Sequence, residues 1–393
     1  MSSAKRNIVI VTTGRADWGI LSPLARALSV EPSINLFIAA GNMHLLDRYG
    51  HTIDEIVAEG YDNIIPLGRV DTDSTLKSRS ELIAGMTTGI ATVIERTRAD
   101  AVIILGDRFE MLGAASAALI AGVPIVHLHG GEISEGAIDD SVRHALSKMA
   151  TLHLVSTQKS ADRLMRMGEE PERIVRTGAI GVENITRLQP MPPDELSRCL
   201  DGFVVDPDKT FLITFHPVTR HPGGVPVQRQ IENLLGALAD VVGWNAIITY
   251  PNNDADSDPL IRSLEEFASA NNDRVKLVKS LGNYKFLSVM HYARAVVGNS
   301  SSGILEAPST PADTLDIGPR QQGRERSSLV IHVDDNRTEI AEALRKLLSQ
   351  PRKTRNLKDN PYYAPQSVAT ATRAIVDILP KLSLNKKFYT AGK

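Results

Sequence analysis

The chain has 393 residues, enough for two domains with separate cores. Its 42% hydrophobic and 23% charged residues are ordinary for a globular protein, and a net charge of −2 leaves no basic footprint for nucleic acid or an anionic membrane. A single cysteine, Cys199, excludes an intramolecular disulfide and a cysteine-built metal site, which fits a reducing, cytoplasmic setting.

In chain order, residues 7–11 (NIVIV) predict a first strand, followed by TTGRAD and a helix over about 19–28. Gly14 serves the turn, and Arg15, expected in the loop, has the planar fork that grips a phosphate. A second strand is expected at 34–40 and a third near 60–67, then a long helix over 80–98. Residues 101–105 (AVIIL) form a short apolar run typical of a buried parallel strand, and Asp107 and Arg108 follow at its carboxyl end. An Ala-rich helix is expected from about 109 to 121, then a strand at 123–128 ending in His127, His129, Gly130, Gly131 and Glu132. Residues 111–131 carry no Asp, Glu, Lys or Arg over a length able to span a bilayer, but Pro124 and four glycines mark a buried helix followed by a buried strand. Glu135, Asp139 and Asp140 come next, before a helix with Arg143 and His144, and further strands are expected at 152–155 and 173–177. Ligands of open parallel sheets bind outside the carboxyl ends of strands. This acidic and basic cluster is therefore the candidate active site.

The mixed, proline-bearing stretch over 178–208 reads as the boundary and linker. A second α/β series follows. FLITF (211–215) ends in HPVT with His216 at its tip; a helix is expected at 227–242, and NAIITY (245–250) runs into PNNDADSD. Asn252, Asn253, Asp254, Asp256 and Asp258 lack EF-hand spacing, so they read as a polar strand-end loop. A strand at 274–279 and a helix at 285–293 lead to GNSSSG (298–303), with a helix starting near Ile304 and Glu306 in its first turn. Small residues before a helix suit an anion, although a plain turn has the same composition and the P-loop ending is missing. IGPRQQGRER then brings Arg320, Arg324 and Arg326 together, and helices close the chain at 338–348 and 367–378. Alternating strands and helices predict two parallel sheets, each covered on both faces.

Taken in order, GRADWG, GDRFE, HGGE with DD and RH, HPVT, GNSSSG with Glu306, and RQ with GR resemble the hydrolysing UDP-N-acetylglucosamine 2-epimerases, over residues 8–378. The resemblance implies a GT-B architecture: two doubly wound, Rossmann-like domains facing each other across a cleft. The domains would be an N-terminal one over 1–185 with the acid/base carboxylates, a nucleotide-binding one over 186–365, and a C-terminal helix and tail over 366–393 that returns to the first. It implies release of UDP by elimination to a 2-acetamidoglucal, then addition of water to give the 2-epimer, for sialic-type sugars.

By family position, Asp107, Glu132, Asp139 and His216 are the catalytic candidates. Arg15, Arg108, His216, Ser300, Ser301 and Arg320 go to the phosphates or their surroundings, and Asn252 and Glu306 to the nucleoside. His129 joins the binding set, standing where some relatives have a catalytic glutamate; the second carboxylate stays open between Glu132 and Asp139. Pro311 and Asp313 depart from the apolar strand that relatives show before the arginine loop. The implied partners are a UDP-sugar substrate and UDP product, with no cofactor, no metal, no nucleic acid and no membrane, in a homodimer or homotetramer. UDP- or GDP-N,N'-diacetylbacillosamine, on the way to legionaminic acid, is the rival substrate. A GT-B glycosyltransferase is the rival class, disfavoured by the density of carboxylates over 107–140; a non-catalytic nucleotide-sugar sensor is a third.

Overall fold

The computed structural model describes residues 4–68, 75–134, 138–218, 224–251, 257–352 and 355–390. The chain divides into two compact units, the first Met1–Glu132, Ile138–Asn184 and Tyr362–Lys393, the second Ile133–Ala137 and Ile185–Pro361.

The first unit carries β1 (Arg6–Thr12), β2 (Ile34–Ala40), β3 (Ile64–Pro66), β4 (Ala101–Leu105), β5 (Ile125–Leu128), β6 (Leu152–Val155) and β7 (Ile174–Arg176). They form one parallel sheet in the order β3-β2-β1-β4-β5-β6-β7. Apolar residues on both sides of the inner strands explain their burial. Ile8 and Ile10 enter one core layer with Ala101 and Ile103, whereas Val9 and Val11 enter the opposite layer with Val102 and Ile104. Such continuous apolar strands need helices on both faces.

The second unit carries β8 (Thr210–Thr214), β9 (Asn245–Thr249), β10 (Val275–Val278), β11 (Ala295–Gly298), β12 (Asp313–Ile317) and β13 (Val330–Val333). Their order is β10-β9-β8-β11-β12-β13, again all parallel. Phe211 and Ile213 face one core layer, Leu212 the other. The chain thus has the expected two doubly wound parallel sheets. In each, strand order reverses once, between β1 and β4 and between β8 and β11. That reversal opens a crevice at the carboxyl ends of two neighbouring strands.

Several expected elements shift. The first helix is Arg15–Ser29, so Arg15 begins the helix rather than lying in the loop. The long helix starts earlier, as Leu76–Thr97. The stretch expected to be linker contains the helix Pro193–Cys199, whose Leu196 joins the second core with Leu200. Proline is favoured at the first helical position because its missing N–H needs no partner there. Residues 111–131 divide into the helix Met111–Ile120 and β5, and no helix among the described residues is long and apolar enough to cross a membrane.

The end of the chain belongs to the first unit. Ala371, Ala374 and Ile375 enter its core, and Arg6 Nη2 donates to Val376 O at 2.9 Å. Further on, Lys386 Nζ reaches Glu169 Oε2 at 2.8 Å.

Two buried histidines make this unit sensitive to acid. His44 lies between Thr12 Oγ1 at 2.9 Å and Thr52 Oγ1 at 2.8 Å, and His127 Nε2–H donates to Gly106 O at 2.7 Å. Burial drives both imidazoles down to about 3. The unfolded chain binds a proton on each near 6.5, the folded chain only near 3, so stability is full above about 6.5 and is lost as pH falls. The expected cost is about 2 kcal/mol per histidine by pH 5. Calorimetry at pH 7.5 and 5 should show the first unit's transition falling, and falling less in His127→Gln.

Candidate functional site

The first unit places its candidate residues where its strand order reverses. After β1, Thr13 donates its backbone N–H and its hydroxyl to Asp17 Oδ2, at 3.2 and 2.6 Å. This ties the strand exit to the first turn of the helix that Arg15 begins. Burial raises the Asp17 carboxyl, and the charge of Arg108, arriving from β4, opposes the rise.

After β4, Asp107 pairs with the guanidinium of Arg143, a side chain only 1% exposed on the helix Asp139–Met149. Arg108 Nε donates to Glu110 Oε1 at 2.7 Å, and Asn42 Nδ2 reaches the same oxygen at 2.8 Å. Glu110 is fully buried. It fixes Arg108 beside Asp107 and ties the exits of β2 and β4. Sequence reasoning placed Arg143 in the candidate cluster without pairing it to Asp107, and assigned no role to Glu110 or Asn42. The available signal was the glutamate two places after Arg108 in GDRFE.

The loop after β5 is sharply bent. Gly131 has φ 74°, and a Cβ there would lie 2.4 Å from Ser160 O. His129 also has positive φ, 61°, which is uncommon outside glycine. Its Nδ1 meets Glu132 Oε1 at 2.7 Å, and Ser156 Oγ donates to that oxygen at 2.6 Å. Asp139 is half-buried at the start of the helix that holds Arg143, and Asp140 faces His144 Nε2 at 3.6 Å. Glu135 lies outside the described residues. Asp107, Arg108, His129, Glu132 and Asp139 thus follow neighbouring strands β4 and β5 on one unit.

The second unit repeats the plan with different chemistry. His216 follows β8, and the side chain of Asn299, after β11, holds its backbone at both ends. Asn299 Oδ1 accepts from His216 N at 2.7 Å, and Nδ2 donates to His216 O at 2.8 Å. The Asn299 carbonyl accepts from Gln321 Nε2 at 2.9 Å and Arg320 Nη1 at 3.3 Å. One buried asparagine, absent from the sequence-based set, therefore gathers the exits of β8, β11 and β12. Gly298 makes this approach possible, since a Cβ there would lie 2.1 Å from Thr214 O.

Ser300 caps the short helix Ser301–Leu305. This corrects the expected position of Glu306, which stands at the C-cap rather than in the first turn, so the favourable N-terminal dipole does not apply to it. The helix starts early because the Ser300 hydroxyl accepts from Ser302 N at 3.4 Å. Asn252 lies outside the described residues. Arg324 Nε donates to Ile133 O at 3.2 Å. Asp313, which departs from the family pattern, is the buried first residue of β12 and is neutralised by Arg294 and Arg355. Among the described residues no group of three or more His, Cys, Asp or Glu is arranged to hold a metal ion.

The family model described as UDP-N-acetylglucosamine 2-epimerase matches residues 26–379. A GDP/UDP-N,N'-diacetylbacillosamine 2-epimerase (hydrolyzing) of Campylobacter jejuni is 36% identical over 349 residues, covering 88% of this chain and 88% of that protein. A UDP-N,N'-diacetylbacillosamine 2-epimerase (hydrolyzing) of Legionella pneumophila is 36% identical over 350 residues, covering 88% and 90%. Among solved structures, the UDP-GlcNAc 2-epimerase of Neisseria meningitidis bound to UDP-GlcNAc superposes with a TM-score of 0.72 at 16% identity, over 95% of this chain and 100% of that one.

The Asn299 clamp predicts a measurable loss. Asn299→Ala removes two buried hydrogen bonds and leaves backbone groups of His216 unpaired, at a cost of about 1–3 kcal/mol. Denaturant unfolding of the second unit's transition should report that loss, and the histidine NMR signal of His216 should broaden.

Proposed function

Because this chain belongs to the UDP-N-acetylglucosamine 2-epimerase family, we propose that it is a hydrolysing 2-epimerase of a UDP-linked 2-acetamido sugar, releasing UDP and the free 2-epimer. The observation that carries this is the density of acid and base groups after β4 and β5. Asp107 is fixed by Arg143, and a histidine–carboxylate pair, His129 and Glu132, stands on the next strand exit. A glycosyltransferase needs an acceptor and no base at C2, so it has no use for this set.

In the elimination step, a base removes the C2 proton, the C2–H pair becomes a C1=C2 double bond, and C1–O cleavage releases UDP. Hydration then adds hydroxide to C1 and a proton to C2 on the opposite face. Asp107, the His129–Glu132 pair and Asp139 are the groups for these transfers. Arg108, held by Glu110, and Arg15 supply cationic forks on the first unit. On the second, His216, Ser300, Ser301 and Arg320 serve the diphosphate, where fixed donors stabilise the charge that develops on departure. Asn252 and Glu306 complete the nucleoside set.

For the substrate, both relatives at 36% identity are named for N,N'-diacetylbacillosamine. They favour a 2,4-diacetamido nucleotide-sugar; the family model's own description supports UDP-N-acetylglucosamine as the second reading. Side-by-side turnover of the two, followed by NMR, separates them: the diacetamido sugar is expected to have the higher kcat/KM.

Run in oxygen-18 water, early product should carry label on the anomeric oxygen and none in UDP, with a non-enzymatic exchange control at the same time point. In deuterium oxide, deuterium should appear at C2. Asp107→Asn should abolish turnover while calorimetry shows UDP still bound. Label in the phosphate would mean P–O cleavage and would remove the epimerase reading.

A further inference from the structure

Glu132 is tied back into the protein through one carboxylate oxygen. It is 4% exposed, and its Oε1 is occupied by His129 Nδ1 at 2.7 Å and Ser156 Oγ at 2.6 Å. An ionised carboxylate only accepts, so His129 Nδ1 carries the proton and Nε2 is the basic nitrogen. His129 Nε2 is buried and has no hydrogen-bond partner among the described residues. An orphaned buried imidazole nitrogen of this kind calls for an explanation.

The backbone gives a second reason. His129 is held at φ 61°, in the left-handed region, a cost of order 1 kcal/mol or more for a side chain that is not glycine. Its N–H donates to Leu154 O at 3.0 Å, and Arg163 binds the carbonyl of Gly131 two residues on. The loop is thus braced on both sides of a strained histidine. His44 shows the contrasting case, with both nitrogens bonded to Thr12 and Thr52 and no positive φ, whereas the buried His153, which also leaves one nitrogen unpartnered, lies on an ordinary strand.

We propose that His129 is a catalytic residue of the elimination, accepting the C2 proton on Nε2, and that Glu132, with Ser156, is its positioning residue. This rests on the epimerase reading above. The C2–H electron pair forms the C1=C2 bond, the C1–O pair leaves on UDP, and the proton stays on an imidazolium held against the Glu132 carboxylate. In hydration, a second acid on the opposite face protonates C2 and recovers its proton from the water that attacks C1. The imidazolium returns its own proton to solvent, so the sum is nucleotide-sugar and water giving free sugar, UDP and one proton.

Asparagine and glycine both tolerate positive φ, so His129→Asn and His129→Gly are expected to fold. On the substrate that the wild type turns over, His129→Asn should lower kcat about 100-fold or more. KM and UDP affinity should stay within about threefold, and added imidazole should restore turnover in His129→Gly but not in Asp107→Asn. Glu132→Gln should lower kcat with KM unchanged. In ligand-free protein with nitrogen-15 histidine, the signal missing from His129→Asn should be an Nδ1-protonated tautomer, and Glu132→Gln should lose that preference. Wild-type kcat in His129→Asn, or an Nε2-protonated His129, would overturn this proposal alone. A wild type that releases no UDP from any nucleotide-sugar would instead overturn the epimerase reading, and this assignment with it.

Discussion

The reversal of strand order in each sheet is the constraint on which the rest depends. β1 and β8 each begin a series that grows in one direction, and β4 and β11 then restart it on the other side. Connections from the two neighbouring strands leave toward opposite faces, so their carboxyl ends cannot be covered by their own helices. The first unit puts Thr13, Arg15 and Asp17 on one lip of that opening and residues 107–110 on the other. The second puts His216 on one lip and Gly298 to Ser301 on the other. Fold and chemistry are coupled because these side chains stand where the strand order reverses.

A crowd of acids at strand ends must be compensated, since an unpaired charge buried in low dielectric costs several kcal/mol. The first unit meets this by giving its carboxylates a definite mate. Asp107 has Arg143, Glu110 has Arg108 and Asn42, and Glu169 has Lys148, Lys386 and His153. Burial alone would raise the Glu169 carboxyl, but the hydrogen bonds from His153, Lys148 and Lys386 outweigh it and hold it near 2. The pairs of Asp107 and Glu110 therefore couple the placement of the site residues to the stability of the unit. In the second unit Asp313 shows the same logic with Arg294 and Arg355, and Arg294 also binds Gln350 O at 2.9 Å.

Much of this was legible in the chain because the central strands are unbroken apolar runs and end in unusual polar residues. Asp107, Arg108, His129, Glu132 and His216 stand out for that reason. What escaped reading depends on partners distant in sequence. Asn299 in a serine-rich loop looks like a turn residue; only the fold puts its amide against His216, 83 residues away. Arg143 belongs to the candidate cluster by sequence, but only the fold pairs it with Asp107. β13 is short and only partly buried, with His332 at its centre, so it lacks a strand signature. Pro192 and Pro193 suggested a linker, yet they open a helix whose leucines are core. The helix at Ser301 was misplaced because three serines carry no periodicity.

The two units hold their sites by different physics, and that difference bears on what each can do. In the first, charged and titratable groups position one another, so a change of protonation in one alters the geometry of the next. Such an arrangement suits proton transfer, where charge must move. In the second, one neutral residue does the positioning: the Asn299 amide fixes the exit of β8 while its carbonyl gathers Arg320 and Gln321 from beyond β12. No proton has to move to keep those bonds, and salt screens them little. Donors and cations fixed in this way need no proton to hold their place. Under the epimerase proposal, that suits a leaving diphosphate, whose charge would grow during the reaction while its binding groups must already be in place.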